Sequence, residues 1–290
     1  MTDKLAVFQR YRQPLFGIAY RMLGSVLDAE DVLQDAWLRW SAVAGEDVDQ
    51  PRAYLARTVT NLSLNRLRSA AVRRESYVGP WLPEPLVTAE DDAGTAVEQA
   101  EAVSLAMLVV LETLSPVERA VFVLKDVFGY SFGEIAEMLD RSETSVRQVG
   151  SRARSHVQAR RPRYDAPADV RRRITDEFLA ACVGGDLNQM MAMLAPDVAA
   201  WTDGGGKIRA ALRPLHGADK VARWILGVWR RPLPRAAMRP VLVNGQAGVL
   251  ITSAGQPDSV VAVDLDADGK ITAIRLIRNP EKLRHLMRCG

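Results

Sequence analysis

Apolar side chains in the first quarter of the chain recur at intervals of three and four residues, the period of a helix with one buried face. The run from Leu15 to Trp40 is interrupted by Gly24 and Ser25, where one helix should end and the next begin. A third run with the same period starts near Pro51, and proline is tolerated in the first turn of a helix. The pattern therefore predicts a bundle of three helices in residues 1–75.

Residues 76–97 lose this period and predict a linker. Pro80, Pro83 and Pro85 surround Trp81 and Leu82, and an acidic stretch follows at residues 90–92. Proline-rich, acidic sequence has a poor helical tendency. A tryptophan next to a leucine is unusual in a linker, because exposed apolar groups commonly mark a docking contact.

Helical patterning returns in residues 98–163. Ser115 to Glu118 and Ser131 to Glu134 each have the sequence of a capping box, and Pro116 suits the first helical position. The second box opens a short helix that should end near Leu139. A tight turn, an N-cap at Ser142 and a longer basic helix then complete the pattern of a helix-turn-helix.

A second linker is predicted at residues 164–169, and residues 170–290 form a third domain. Helical patterns cover Ile174–Val183, Leu187–Leu194 and Lys220–Trp229. Strand signals then dominate, with Asn244-Gly245 between two apolar runs as a hairpin turn. A second hairpin is predicted from Val260–Leu265 and Ile271–Ile277. Helices followed by antiparallel strands indicate an α+β domain.

Charge is distributed unevenly along the 290 residues, although the net charge is only +3. Residues 141–163 contain seven arginines and a single acidic residue, Glu143. A block of that density is typical of a phosphate-binding surface, and an ordinary solvated helix face is the alternative. Cys182 and Cys289 form neither a metal-binding pattern nor a disulfide framework, so we expect reduced thiols in a cytoplasmic protein with no metal and no cofactor. No apolar run approaches the length of a membrane span.

Three groups of side chains could carry function. The first group is an acidic helix face that contains Asp31, Gln34 and Asp35. Such a face could bind an arginine-rich protein partner, and an ordinary solvent-exposed face is the alternative. Asparagine amides can read base edges while neighbouring arginines hold phosphates, and here the residues are Asn61, Asn65, Arg66 and Arg68. The basic helix carries a stripe that could contact DNA, formed by Arg147, Gln148, Ser151 and Arg152, with Arg154 placed to meet phosphate.

The order and spacing of these groups resemble the extracytoplasmic-function (ECF) sigma factors of bacterial RNA polymerase over residues 1–163. The resemblance implies two all-α domains, region 2 and region 4, and a non-enzymatic role in transcription initiation. It assigns Asp31, Gln34 and Asp35 to the β′ clamp helices of core polymerase, and the partners would be that core, including its β flap, and promoter DNA. Asn61, Asn65, Arg66 and Arg68 would read the −10 element, and the residues of the basic helix the −35 element. Val149 and Gly150 depart from the family pattern, which leaves the −35 preference open.

Residues 170–290 resemble a SnoaL-like domain of the nuclear-transport-factor-2-like superfold, a cone of helices against a curved sheet. Three short motifs accompany it: WLPEPL at residues 81–86, DGGGK at 203–207 and NPEKL at 279–283. Together they resemble the SigJ-like group, in which the C-terminal domain controls activity in cis and a dedicated anti-sigma factor is usually absent. The resemblance places the regulatory contact between domains at Trp81, Leu82, Pro83, Asp203, Gly205, Lys207, Asn279, Pro280 and Lys282. An unknown small ligand of this domain is a further expectation.

Other interpretations remain at this level. The glycine-rich segment from Asp203 to Lys207 could be a simple turn at the end of a strand. The C-terminal domain could be an enzyme, with Asp197, Asp203 and His216 as possible acid–base groups. A ligand-responsive repressor would explain the helix-turn-helix, but not the acidic helix or the asparagine–arginine group.

Overall fold

The computed structural model describes residues 4–43, 48–89, 103–160, 166–230 and 233–288. Residues 90–102 and 161–165, which include parts of both predicted linkers, lie outside the described residues, as does Cys289. The chain divides into two compact units: residues 1–76 with 108–161, and residues 77–107 with 162–290. Residues 77–88, which the sequence predicts as part of a linker, therefore belong to the unit that contains the C-terminal domain.

Three helices begin the first unit: α1 (Lys4–Leu23), α2 (Val26–Ala42) and α3 (Pro51–Glu75). The break between α1 and α2 lies where the sequence predicts it. Gly24 has a φ of 65°, and the Ser25 side chain accepts the backbone N–H of Asp28 as an N-cap. Pro51 starts α3, as expected.

The same unit continues with most of α4 (Leu105–Glu112) and with α5 (Pro116–Phe122), α6 (Phe132–Leu139) and α7 (Glu143–Arg160). Both predicted capping boxes are formed, at Ser115 and at Ser131. Asp140 takes a left-handed conformation after α6 and makes the tight turn that precedes α7. The prediction of a short helix, a turn and a long basic helix is confirmed.

Gly150 has a structural role in α7 that the sequence did not reveal. A Cβ atom there would lie 3.1 Å from Cε1 of Phe132 and 3.3 Å from Cγ1 of Val121. The glycine thus allows α7 to approach α5 and α6 closely. Val149 and Gly150 both face the interior, so these departures from the family pattern lie on the buried side of the helix.

The second unit has an α+β fold, as predicted. Its helices are α8 (Ala168–Gly184), α9 (Leu187–Met193) and α10 (Ala218–Trp229). The strands are β1 (Val87–Thr88), β2 (Leu194–Asp203), β3 (Leu215–His216), β4 (Ala237–Val243), β5 (Gln246–Ser253), β6 (Gln256–Leu265) and β7 (Ile271–Ile277). They form one sheet in the order β1-β4-β5-β6-β7-β2-β3. Apolar side chains of the helices and of the inner sheet face make a single core, which includes Phe178, Ile225, Val249 and Ile274.

Local turn chemistry explains the predicted hairpins. Asn244 and Gly245 both have positive φ, at 52° and 74°, which suits the two-residue turn between β4 and β5. The hairpin of β6 and β7 is also present. The sequence did not predict β2, which pairs in parallel with β7, or the two-residue strand β1, which pairs with the edge of β4. Sequence-distant pairing of this kind has no short-range signal.

Candidate functional sites

The acidic face of α2 carries the residues predicted to bind a protein partner. Asp31 and Gln34 are exposed and Asp35 is half-buried, while Val32, Leu33 and Ala36 fill the core behind them. The structure adds one relationship. Arg66 on α3 lies 3.2 Å from a carboxylate oxygen of Asp31 and 3.6 Å from one of Asp35, and it also donates to Asp28 at 3.0 Å.

The remaining residues of the asparagine–arginine group lie together on another part of α3. Asn61, Asn65 and Arg68 line a cleft that Leu139 and Arg141 of the helix-turn-helix complete. The side-chain amide of Asn61 donates to the backbone carbonyl of Met138 at 3.3 Å. The four predicted −10 residues therefore divide between two environments, with Arg66 beside the acidic helix.

The basic helix α7 presents the predicted DNA-contacting stripe to solvent. Its buried side consists of Val146, Val149, Gly150, Ala153 and Val157. The candidate residues are exposed: Arg147, Gln148, Ser151, Arg152 and Arg154. The Arg147 guanidinium lies over the ring of Phe132 and pairs with Glu143, and Arg154 pairs with Asp126 at 2.7 Å. These are surface pairs, which phosphate or a base edge can replace at small cost.

The segment Tyr77–Thr88 contacts the C-terminal domain around one buried carboxylate, that of Asp203 at the end of β2. One oxygen accepts the hydroxyl of Tyr77 at 2.5 Å. The other accepts the backbone N–H of Leu82 at 2.8 Å and the ammonium of Lys282 at 2.7 Å. Asp203 is fully buried, and a buried carboxylate is stable only when charge and hydrogen bonds compensate it, as they do here.

Further contacts surround this carboxylate. Lys282 also donates to the carbonyl of Leu82, and its ammonium lies 4.0 Å from the ring centre of Trp81. The Asn279 amide donates to the Tyr77 hydroxyl at 2.9 Å. Burial, followed by the bond to Asp203, raises the pKa of Tyr77 well above its usual value, so its hydroxyl remains a donor. We call Tyr77, Trp81, Leu82, Asp203, Asn279 and Lys282 the docking cluster.

Gly205 is required at this contact for a steric reason. It has a φ of 60°, and a Cβ there would lie 2.3 Å from Nδ2 of Asn279 and 3.1 Å from the Tyr77 hydroxyl. The glycine-rich segment is also a turn at the end of a strand, because the N–H of Lys207 donates to the carbonyl of Gly204 at 3.0 Å. Both interpretations of this segment thus describe the same loop.

Three of the nine residues predicted at this contact lie outside the docking cluster and its glycine. Pro83 is buried next to Leu82. Lys207 is exposed and pairs with Glu281, and Pro280 is exposed. The sequence missed Tyr77, four residues before Trp81, and Asn244, whose side chain accepts the N–H of Leu86 at 3.2 Å. It also missed His285, whose Nε2 lies 2.8 Å from the carbonyl oxygen of Pro85.

The proposed acid–base residues do not meet. Asp203 belongs to the docking cluster, and Asp197 is exposed. His216 is also exposed, and its ring lies edge-on to that of Trp201, with 6.5 Å between the ring centres. None of them lines the cavity of about 500 Å³ that lies between the helices and the sheet of the C-terminal domain. Among the described residues, no group of three or more His, Cys, Asp or Glu side chains could hold a metal ion, and no helix is long and apolar enough to cross a membrane.

Comparison with known proteins gives the same picture. The family model of sigma-70 region 2 matches residues 7–73, and that of sigma-70 region 4 matches residues 104–157. The ECF RNA polymerase sigma factor SigJ of Mycobacterium tuberculosis is 41% identical, over 96% of this chain and 93% of its own. The probable ECF sigma factor SigI of the same species is 31% identical, over 96% and 94%. The crystal structure of M. tuberculosis SigJ superposes with a TM-score of 0.76 and 36% identity, covering 97% and 98% of the two chains.

The chain belongs to the extracytoplasmic-function sigma factors of RNA polymerase. It falls in the SigJ-like group, with two helical sigma domains and a SnoaL-like C-terminal domain. It binds core polymerase, recognises promoter DNA and directs transcription initiation, and sigma factors are not enzymes. The repressor and enzyme interpretations are thereby set aside.

Proposed function

We propose that the C-terminal domain regulates this sigma factor in cis by holding the segment Tyr77–Thr88, which follows directly on α3. The observation that carries the proposal is the convergence of Tyr77, Leu82 and Lys282 on the buried carboxylate of Asp203. The segment also adds β1 to the sheet by pairing with β4. A buried, ion-paired contact of this kind favours one arrangement of the segment, and its hydrogen bonds form and break together.

The acidic face of α2 is proposed as the contact with the β′ clamp helices. Asp31, Gln34 and Asp35 are accessible, and their charge suits arginine-rich helices. Arg66 neutralises part of this face in the free protein. Binding to core then requires either exchange of Arg66 for a polymerase arginine or sharing of the carboxylates between the two.

The −10 element is proposed to be read by Asn61, Asn65, Arg66 and Arg68. A base taken out of the stack needs a pocket and a grip on the backbone, and the cleft between α3 and the helix-turn-helix combines amides with arginines. Because the Asn61 amide is bonded to Met138 in the free protein, this bond must break before the amide can meet a base. Region 4 would then read the −35 element through α7 and contact the β flap.

Two further proposals follow from the regulatory one. A domain that controls activity from within the chain takes the place of a separate inhibitor, so we expect no dedicated anti-sigma factor. A protein that works on core polymerase works in the cytoplasm, where the polymerase is.

Transcription in vitro with core polymerase tests the regulatory proposal on three chains: the full protein, a chain ending at Arg278 and a chain ending at Arg163. The second lacks Asn279 and Lys282 of the docking cluster but keeps the sheet. We expect the two truncated chains to differ from each other and from the full protein, because the domain both restrains and supports initiation. Equal activity of the two truncated chains would refute this dual role.

A pair of point variants separates docking from truncation. Leu82 is 1% exposed inside the cluster, whereas Val183 on α8 of the same domain is 63% exposed. Leu82→Asp should change initiation by the full chain, and Val183→Asp should leave it at the parental level. An unchanged Leu82→Asp protein would show that docking does not control initiation.

A further inference from the structure

The C-terminal domain contains a cavity of about 500 Å³ between its helices and the sheet. That volume is within the usual range for small-molecule sites. Most of the wall is apolar and aromatic, with Phe178, Trp224, Trp229, Leu233 and Ile251 among the residues that line it. A wall of this composition favours the apolar body of a ligand.

Charged groups converge on one part of this wall. The Arg278 guanidinium pairs with Asp258 at 3.0 Å and donates to the backbone carbonyl of Arg209 at 3.3 Å, and all three residues line the cavity. Arg278 and Asp258 cancel each other's charge. The Arg209 side chain makes no ion pair within the part of the chain that the structure describes, so this part of the wall carries an excess positive charge.

We propose that the cavity binds an apolar carboxylic acid, with its body against the aromatic wall and its carboxylate at Arg209 and Arg278. Arginine is well suited to a carboxylate because its guanidinium can donate two parallel hydrogen bonds. Apolar contact supplies most of the affinity, and the arginines select acids over neutral molecules.

The cavity is joined to the docking cluster by two pairs of consecutive residues. Thr202 lines the cavity and Asp203 holds the segment Tyr77–Thr88. Arg278 lines the cavity and Asn279 bonds to Tyr77. The backbone N–H groups of Arg278 and Asn279 both donate to the carbonyl of Asp203, at 2.7 and 2.8 Å. A ligand carboxylate that draws Arg278 away from Asp258 therefore acts on the residues that hold Tyr77 and Leu82.

Binding is tested on the full chain with 8-anilinonaphthalene-1-sulfonate, an aromatic anion whose fluorescence rises in apolar sites. We expect one site. Decanoate and 2-naphthoate should displace the dye at least fivefold more strongly than their neutral counterparts, 1-decanol and 2-naphthol. Comparison of the chain-like and ring-like acids shows which body the cavity prefers. Equal displacement by the neutral compounds would overturn the proposal.

Two variants place the dye in the cavity. Ala236 is exposed and lines the cavity, so Ala236→Trp fills space without disturbing the core, and it should weaken dye binding at least tenfold. Arg209→Gln should weaken it roughly fivefold, because an exposed charge contributes modestly. Dye binding that neither variant changes would place the dye elsewhere and refute the site.

The link to docking rests on the proposed function and has its own measurement. Hydrogen exchange of the peptide containing residues 77–88 should change at least threefold with saturating decanoate, and that of α7 should not. Exchange that stays constant while decanoate binds would refute the link. Because dye binding does not involve transcription, failure of this site and failure of regulation in cis are distinguishable.

Discussion

The backbone N–H of Leu82 donates to the side-chain carboxylate of Asp203 at 2.8 Å, and the ammonium of Lys282 donates to the same oxygen at 2.7 Å. Two segments that are far apart in sequence are thus joined by one buried oxygen atom. Asp203 is completely buried and Lys282 is 6% exposed, so neither charge is compensated by water. The contact depends on all three groups together.

Asp203→Asn keeps the shape of the side chain and removes its charge. The Lys282 ammonium then loses the negative charge of Asp203, and loss of one partner of a buried pair costs about 3–5 kcal/mol. We expect the C-terminal domain to unfold at a clearly lower urea concentration, and residues 77–88 to exchange hydrogen faster. Asp197→Asn on the same strand is the control, because Asp197 is exposed. Equal stability of the two variants would contradict the role given to Asp203.

The docking of His285 on Pro85 should weaken in mild acid. Burial lowers the pKa of His285 below its usual value, and its bond to the Pro85 carbonyl opposes this only in part. The unfolded chain therefore binds a proton more readily than the folded one. The stability that this histidine contributes is complete above about pH 6.5, the unfolded value, and is lost as the pH falls below it.

Urea unfolding of the C-terminal domain between pH 7 and pH 5 measures this effect. His285→Gln retains an N–H donor for Pro85 and cannot titrate in this range, so the variant should lose less stability over the interval. His216→Gln, at an exposed position, should behave like the parent. If the His285→Gln protein loses as much stability as the parent between pH 7 and pH 5, other groups cause the loss.

A larger side chain at residue 150 should loosen the helix-turn-helix. Gly150→Leu places atoms where a Cβ alone is 3.1 Å from Phe132, and overpacking of this kind costs about 1–3 kcal/mol. Gly227 in α10 is the matched position, because nothing lies within 4 Å of its Cβ site. Gly227→Leu should be neutral or stabilising by up to about 1 kcal/mol, from helix propensity. Thermal unfolding of both variants provides the test, and equal losses would refute the packing role.

Substitution of two arginines of α7 should have different effects on promoter binding by the holoenzyme: one should change sequence preference and the other overall affinity. Arg147→Ala should cost about 1–3 kcal/mol and relax the preference at one position of the −35 element, as expected for a base contact. Arg154→Ala should weaken all sequences alike and reduce the salt dependence by about one charge, as expected for a phosphate contact. If both variants lose affinity uniformly, Arg147 is also a phosphate contact.

The sequence predicts the parts of the fold that depend on local chemistry. Ser115 and Ser131 signal their helices because a capping box involves only four neighbouring residues, and Asn244-Gly245 signals its hairpin through positive φ. By contrast, β2 contains Pro196 and pairs in parallel with β7, and β1 consists of only two residues. Both strands depend on partners that are distant in sequence.

The candidate sites show the same division. Exposure of the stripe on α7 follows from helical periodicity, and the structure shows it. The pairing of Arg66 with Asp31 and the bond from Asn61 to Met138 depend on tertiary packing and leave no trace in a motif. The packing role of Gly150 also depends on tertiary structure. Its low helix propensity can be read from the sequence, but its closeness to the Phe132 ring cannot.

The short strand β1 has a consequence for solubility. It pairs with Leu242 and Val243 of β4, and Arg239 and Pro240 lie further along the same strand. Charge and proline discourage pairing between the edges of sheets in different molecules, whereas an apolar edge invites it. The regulatory segment therefore covers an apolar part of this edge. Whenever the segment is released, two apolar residues with unpaired backbone groups become available to a second chain, and self-association competes with the active state.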